Sequence, residues 1–427
     1  MNAMELIRSV GTVGEIQQLA AKGVVPPPGL KFNSHIHLPP NFSAFTTIAQ
    51  VIDLAKAQDV RVIGVTNYYD YRVYDQFAEL ASSAGIFPMF GLEIISLVDS
   101  LVKSQTKIND PGNPGRLYIC GKGTMKFQPV PPAAKKVLAR IRRSDVQRMG
   151  EMIGKLAAHF ASVGVDLAIT EASVQQMIVD RNGCPADQVY IQERHIAQAA
   201  QEALFAKVPE SQRAEVLKRA YGVAPKAGIT EAVKTQNEMR SNLLRAGKPA
   251  FIAEAFVDYP EARDMILAMG GIPCYPTLAD GASPLCGFED PLTKWVATLR
   301  EMGISMAEFI PTRNSPEVLG TYVKAARSAG LAVVGGTEHN TLDLIPLEPA
   351  CLKGAAVPDD VKAIFWEGAC VVAAHQFLTA HGQLGFVDAK GKPNPIYQSP
   401  DERIKAFARI GAAVIAKYME CRMQKPE

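Results

Sequence analysis

The sequence predicts an α/β fold built on a parallel, barrel-like sheet and interrupted by a helical insertion. Three observations carry this: a βαβαβ pattern near the start of the chain, its return in the last third, and a middle section of different character. Residues 30–38 (LKFNSHIHL) read as a strand. Ile48, Val51, Ile52 and Ala55 then recur at i, i+3, i+4 and i+7, the spacing of an amphipathic helix. Residues 61–66 (RVIGVT) form a second strand, Tyr74, Phe77, Leu80 and Ala81 repeat the helical period, and 86–95 (IFPMFGLEII) contain a third strand. The later repeat places strands at 250–256, 271–275, 307–311 and 331–335. Helices at 260–269, 291–302 and 316–329 separate them, the first with a proline in its opening turn. Glycine or proline marks nearly every junction.

Between these halves, residues 99–128 are rich in Gly, Pro and Asn and read as a long loop with one strand at 116–120. Residues 133–161 are helical and basic, with Lys135, Lys136, Arg140, Arg142, Arg143 and Arg148 against Asp145. That charge suits either a solvated helix face or an anionic ligand. A further helix covers 192–205. The expected organisation is an N-terminal helical extension at 1–29, barrel at 30–98, loop and helical insertion at 99–248, barrel again at 249–380, and a C-terminal loop and helix at 381–427.

Composition narrows the function. The 427 residues are 48% hydrophobic and 21% charged, as a folded globular chain requires. Lys+Arg is 45 and Asp+Glu is 43, so a net charge of +2 leaves no electrostatic footprint for nucleic acid or an anionic membrane. No uncharged apolar run approaches the roughly 20 residues of a bilayer span. Residues 363–380 carry Glu367 and His375 and read as a buried helix. Glu5, Arg8 and Glu15 interrupt any signal-peptide core, so a cytoplasmic location is expected. The 7 cysteines are scattered and never spaced C-x-x-C, against a disulfide framework or a structural zinc site.

Several residues have the chemistry of a site. His35 and His37 stand two apart at a strand end, so both imidazoles face one side and can meet one cation. Glu93 interrupts an apolar strand, where a carboxylate must be paired, protonated or cation-bound. Glu338, His339 and Asn340 follow the strand 331–335, at the strand end where α/β sheets bind ligands, although Glu338 equally suits the cap of a following helix. His195 opens the helix at 192–205, with Arg194 before it. Arg313, after the strand 307–311, suits a bidentate grip on phosphate or carboxylate, or an exposed loop position.

The order of these segments, HIH, RVIGVTNYYD, GIFPMFGLEI, RHIAQAAQEAL, GGIPCYP and GLAVVGGTEHN, resembles the polymerase and histidinol phosphatase (PHP) family over residues 30–95 and 190–345. The resemblance implies a distorted (β/α)7 TIM-like barrel with a helical insertion. It implies one or more divalent metal ions, Zn, Mn or Fe, at the C-terminal rim, and hydrolysis of phosphate esters. Position by position, it makes His35, His37, Glu93, His195 and Glu338 metal ligands. The chain departs from the family where 38–45 lack an acid, at Asn67-Tyr68, at Cys274-Tyr275 and at Asn340. The ligands that remain imply one or two metals rather than three.

The resulting expectation is a metal-dependent hydrolase, a phosphoesterase acting on a small anionic substrate. Arg313, Arg194, Asn67, Tyr275 and Asn340 would contact the substrate, and His339 or Tyr68 would supply the leaving-group proton. The alternatives are a hydrolase or lyase acting on C–N, C–O or lactone bonds, and a non-catalytic ligand-binding descendant of the fold.

Overall fold

The computed structural model describes residues 1–254 and 257–423. Its strands are β1 (Lys31–Ile36), β2 (Val60–Tyr68), β3 (Phe87–Leu97), β4 (Arg116–Lys122), β5 (Val257–Asp258), β6 (Ile272–Thr277), β7 (Met306–Phe309) and β8 (Ala332–Gly335). They form one eight-stranded sheet in the order β1-β2-β3-β4-β6-β7-β8, with β5 paired to the end of β3. Every pairing is parallel except those of β4, which runs antiparallel to both β3 and β6. A parallel bridge between Ile36 and Glu338 returns the end of β8 to β1. The sheet is therefore a nearly closed, distorted TIM-like barrel.

Helices cover the barrel because the crossovers between parallel strands demand them. Ile48–Gln58 and Tyr74–Ser83 bury the apolar faces read from the sequence: Val51, Ile52 and Ala55 on the first, Phe77 and Ala81 on the second. The helices Ala3–Arg8 and Val13–Ala21 both begin with capping boxes, Asn2 with Glu5 and Thr12 with Glu15, and they bury Leu6, Ile7 and Ile16 in the main core. Helix Asp359–Ala380 has the length and apolarity of a membrane span, and 72% of its apolar window is buried. It lies on β8 and on helix Pro400–Met423. Gly368 permits that approach, since a Cβ there would stand 2.0 Å from the Val333 carbonyl oxygen.

Two details differ from expectation. Residues 250–254 form no strand, and 255–256 lie outside the described residues. The strand at 116–122 belongs to the barrel sheet rather than to an excursion from it, and it supplies the reversed member that a strictly alternating reading omits. A second hydrophobic core begins at Met149 on the long helix Pro132–Ser162 and ends at Ala250. It packs that helix against Glu171–Asn182 and Glu193–Lys207. The basic face of the long helix is mixed: Lys135, Lys136, Arg140 and Arg143 are exposed, whereas Arg148 is buried.

Candidate functional site

The register of β1 on β2 breaks between Asn33 and Ile36. There the His35 carbonyl accepts hydrogen bonds from the Thr337 and Glu338 amides (3.1 and 2.8 Å). Gly336 makes this contact feasible: a Cβ at that position would stand 2.5 Å from the His35 Cβ. Beside this irregularity His35 and His37 both face Glu93 on β3. All three side chains are almost fully buried.

Their ligand atoms form a tight triangle. His35 Nε2 lies 3.3 Å from His37 Nε2 and 3.6 Å from Glu93 Oε2, and His37 Nε2 lies 3.4 Å from Glu93 Oε2. Ligands about 2.1 Å from a tetrahedral cation stand about 3.4 Å apart, so these edges match such an ion. Glu93 Oε2 and His37 Nδ1 are buried without a hydrogen-bond partner among the described residues, and a bare buried carboxylate oxygen is costly unless a cation joins it. The donor set and its burial fit a divalent metal. Burial lowers the His37 pKa, with Glu93 opposing it, which favours the neutral imidazole that a metal needs.

A second layer lies beneath. His35 Nδ1 is 2.9 Å from Glu308 Oε2, and Lys122 Nζ is 2.6 Å from Glu308 Oε1. Glu308 is fully buried, and burial alone would raise its pKa. His35 and Lys122 instead hold the carboxyl down at about 2.

Glu338 does not join the triangle. Its carboxylate pairs with both arms of the Arg313 guanidinium and also accepts from Asn340 Nδ2. Burial opposes ionisation of Glu338, but Arg313 holds its pKa below the ordinary value. No helix follows directly, so Glu338 is not an N-terminal cap. Instead, Glu338 and His339 both adopt left-handed backbone (φ 58° and 50°), a conformation costly for residues other than glycine.

Above the triangle lies a cavity of about 310 Å³. The barrel contributes Tyr68, Glu93, Arg313, Glu338 and Asn340 to its lining, and the helical segment contributes Arg148, Tyr190, Glu193, Arg194 and Arg240. Most of the basic groups are neutralised: Arg148 pairs with Glu254 (2.8 Å) and Glu193, and Arg240 faces Glu193 at 3.8 Å. Arg194 pairs with no carboxylate among the described residues. It contacts Asn237 Oδ1 at 3.4 Å and lies 6.0 Å from the Phe42 ring. Burial and the neighbouring Arg240 lower its pKa to about 9. Tyr68 stacks on His37 (5.2 Å between centroids, 7° between planes), and burial and Glu93 push its phenol well above the ordinary value.

Other expected site residues lie elsewhere. His339 places Nδ1 2.6 Å from the Thr337 hydroxyl and Nε2 3.0 Å from the Ile345 carbonyl, and it stacks on Phe45. Both ring nitrogens are occupied and the residue does not line the cavity, so the structure gives it a bracing position in place of a proton donor's. Asn67 bonds the backbone of Leu38 through both its amide atoms (2.7 and 3.1 Å). Tyr275 is buried and donates to Glu289 (2.8 Å). Neither lines the cavity. His195 accepts from the Gln192 amide through Nδ1 (3.0 Å) and packs edge-on to Phe42. Burial lowers its pKa to about 3. It belongs to no ligand cluster among the described residues.

The two residues beneath the triangle escape the sequence reading, as do Tyr190, Glu193 and Arg240 of the cavity lining. Glu308 interrupts the apolar strand MAEF just as Glu93 interrupts its own, so the same signal was present. Lys122 sits between glycines in a stretch that reads as loop, and only the pairing of β4 brings it under His35.

No family model matches the chain, and no curated protein matches it. Solved structures do. A protein from Bifidobacterium adolescentis assigned as a metal-dependent phosphoesterase superposes with a TM-score of 0.52 at 16% identity, covering 80% of this chain and 97% of that one. An amidohydrolase from Chromobacterium violaceum, solved with bound sulfate and no metal, superposes with a TM-score of 0.50 at 17% identity, covering 78% of this chain and 96% of that one. At such identities the likeness establishes the fold, a distorted TIM-like barrel carried by all three chains.

Proposed function

We propose that the chain is a metal-dependent hydrolase acting as a phosphoesterase on a small phosphorylated substrate. The observation that carries the reading is the buried triangle of His35 Nε2, His37 Nε2 and Glu93 Oε2, with edges of 3.3–3.6 Å, whose carboxylate reaches a cavity on the barrel. The two solved neighbours, one assigned to phosphoesters and one binding sulfate, agree with a tetrahedral anion as ligand.

These residues would hold one divalent cation, Zn, Mn or Fe, whose chemistry is polarisation of the substrate and acidification of water towards neutral pH. The chain's own groups do the rest. Arg194, free of carboxylates among the described residues, receives the substrate anion with a charge-assisted grip. Tyr68 braces His37 by stacking and offers a phenolic hydrogen bond to the substrate. Its raised pKa suits holding a proton rather than surrendering it at neutral pH. Charge on Arg313 becomes available to substrate only when Glu338 lets go.

A second reading, hydrolysis of a C–N, C–O or lactone bond at the same centre, is favoured by one observation: among the described residues, no imidazole other than those of the triangle is positioned at the cavity to protonate a departing alkoxide. Purified protein loaded with zinc or manganese, assayed on p-nitrophenyl phosphate, a p-nitrophenyl carboxylate ester and a lactone, separates the two. Phosphate release that vanishes in His35→Ala supports the first reading. Activity confined to the carbonyl substrates supports the second, and activity on none, with no metal retained, favours a ligand-binding protein.

A further inference from the structure

Glu308 and Lys122 line no part of the cavity, yet they are among the most deeply buried charges in the chain. A buried ion pair contributes little net stability, because desolvation offsets most of the attraction. Their geometry suggests a different use. Each Glu308 oxygen has its own partner: Oε2 faces His35 Nδ1 at 2.9 Å and Oε1 faces Lys122 Nζ at 2.6 Å. Lys122 is fixed in turn by the Ser34 carbonyl and the Thr66 hydroxyl, each 3.3 Å away. The carboxylate therefore cannot rotate without losing a partner, and an ionised carboxylate only accepts hydrogen bonds. The proton between Glu308 and His35 must then sit on the ring.

We infer that Glu308 and Lys122 are positioning residues for His35. Glu308 keeps the imidazole proton on Nδ1 and leaves the Nε2 lone pair facing His37 and Glu93, and Lys122 holds Glu308 in register. The inference rests on the reading that His35, His37 and Glu93 hold a divalent cation. Carboxylates behind ligating histidines generally act this way, setting tautomer and ring orientation. Lys122 has a further consequence. His35, Cys120 and Glu308 also come within ligating distance of one another, but the Lys122 ammonium already supplies the cation of that lower cluster. One metal, held above His35, is what the two layers accommodate.

The test uses the full chain with 15N-labelled histidine, the His35 signals being assigned by their loss in His35→Asn. Long-range 1H–15N correlation on the metal-free protein at pH 8 reads the tautomer, and competition with a chromophoric chelator reads zinc affinity. The inference expects His35 protonated on Nδ1 alone. It also expects zinc affinity to fall roughly ten- to a hundredfold in Glu308→Gln and in Lys122→Met, with the circular dichroism of the wild type. A proton on His35 Nε2, alone or in addition, overturns it, as does zinc affinity within about twofold of wild type in a folded Glu308→Gln protein. If Glu308→Gln does not fold, Lys122→Met and the wild-type spectrum decide. If the wild type takes up no zinc, the metal reading fails and the tautomer alone decides the positioning role.

Discussion

Arg313 grips Glu338 with both arms of its guanidinium, the Nη1–Oε1 bond spanning 2.9 Å. From sequence, the first residue was expected on a substrate anion and the second on a metal. Each currently satisfies the other, at a point where Glu338 and His339 are both held in left-handed backbone. Both residues line the cavity, so a change that removes the Glu338 charge leaves the guanidinium to a ligand.

Glu338→Gln should consequently strengthen the binding of inorganic phosphate, by about three- to tenfold, by releasing Arg313. The side chain of Arg313 is 37% exposed, so solvent screens the pair and its loss should cost only about 1 kcal/mol. Titration calorimetry with phosphate and urea unfolding measure the two effects. Weaker phosphate binding in the variant would contradict this expectation.

Glu93 should show the opposite signature to an ordinary core residue. Its Oε2 is buried without a hydrogen-bond partner among the described residues. Glu93→Leu removes a desolvated charge, so the metal-free protein should be as stable as wild type or gain about 1 kcal/mol. If the triangle holds a metal as proposed, the same change should reduce bound metal from about one equivalent to almost none, since it removes one of the three proposed ligands. Thermal unfolding in chelator and elemental analysis give the two readouts.

Arg194 and Arg148 both line the cavity, but they should respond differently to removal. Arg148 sits in a buried network with Glu193 and Glu254, and Arg148→Met should cost about 3–5 kcal/mol by stranding those carboxylates. Arg194 faces the positive charge of Arg240 and no paired acid among the described residues, so Arg194→Met should leave the unfolding midpoint unchanged or higher. Its effect should fall on ligand binding, with phosphate affinity lowered roughly tenfold or more.

His339 tests the distinction between bracing and proton transfer. Burial lowers its folded-state pKa to about 4, against about 6.5 when unfolded. Above about pH 6.5 the ring is neutral in both states and titration has no effect. As pH falls below that value the unfolded chain takes up the proton first, so wild-type stability is lost down to about pH 4. At pH 5 this amounts to about 2 kcal/mol. Relative to wild type, His339→Gln should gain about that much on moving from pH 7.5 to 5, and the proposed hydrolytic turnover at pH 7.5 should stay within about threefold. A drop of a hundredfold or more would restore His339 to the chemistry.

What was legible in the sequence follows from local physics. Strand and helix periodicity is set by which face of each element is buried, and it placed β1, β2, β3, β6, β7 and β8 to within a few residues. The pairing of His35 with His37 is a property of one strand end, and Glu93 betrays itself as a charge in an apolar run. Tertiary structure alone decided the rest, because it depends on contacts between residues far apart in the chain. Lys122 reaches Glu308 across 186 positions, two residues past the strand read at 116–120, and only the reversed pairing of that strand brings the two together. Glu338 turns from the triangle to Arg313 because both stand on the same rim, and His339 turns from the cavity because Thr337 and Ile345 satisfy both its nitrogens. A side chain's chemical type is written in the sequence, whereas the partner that claims it is fixed only when the barrel closes.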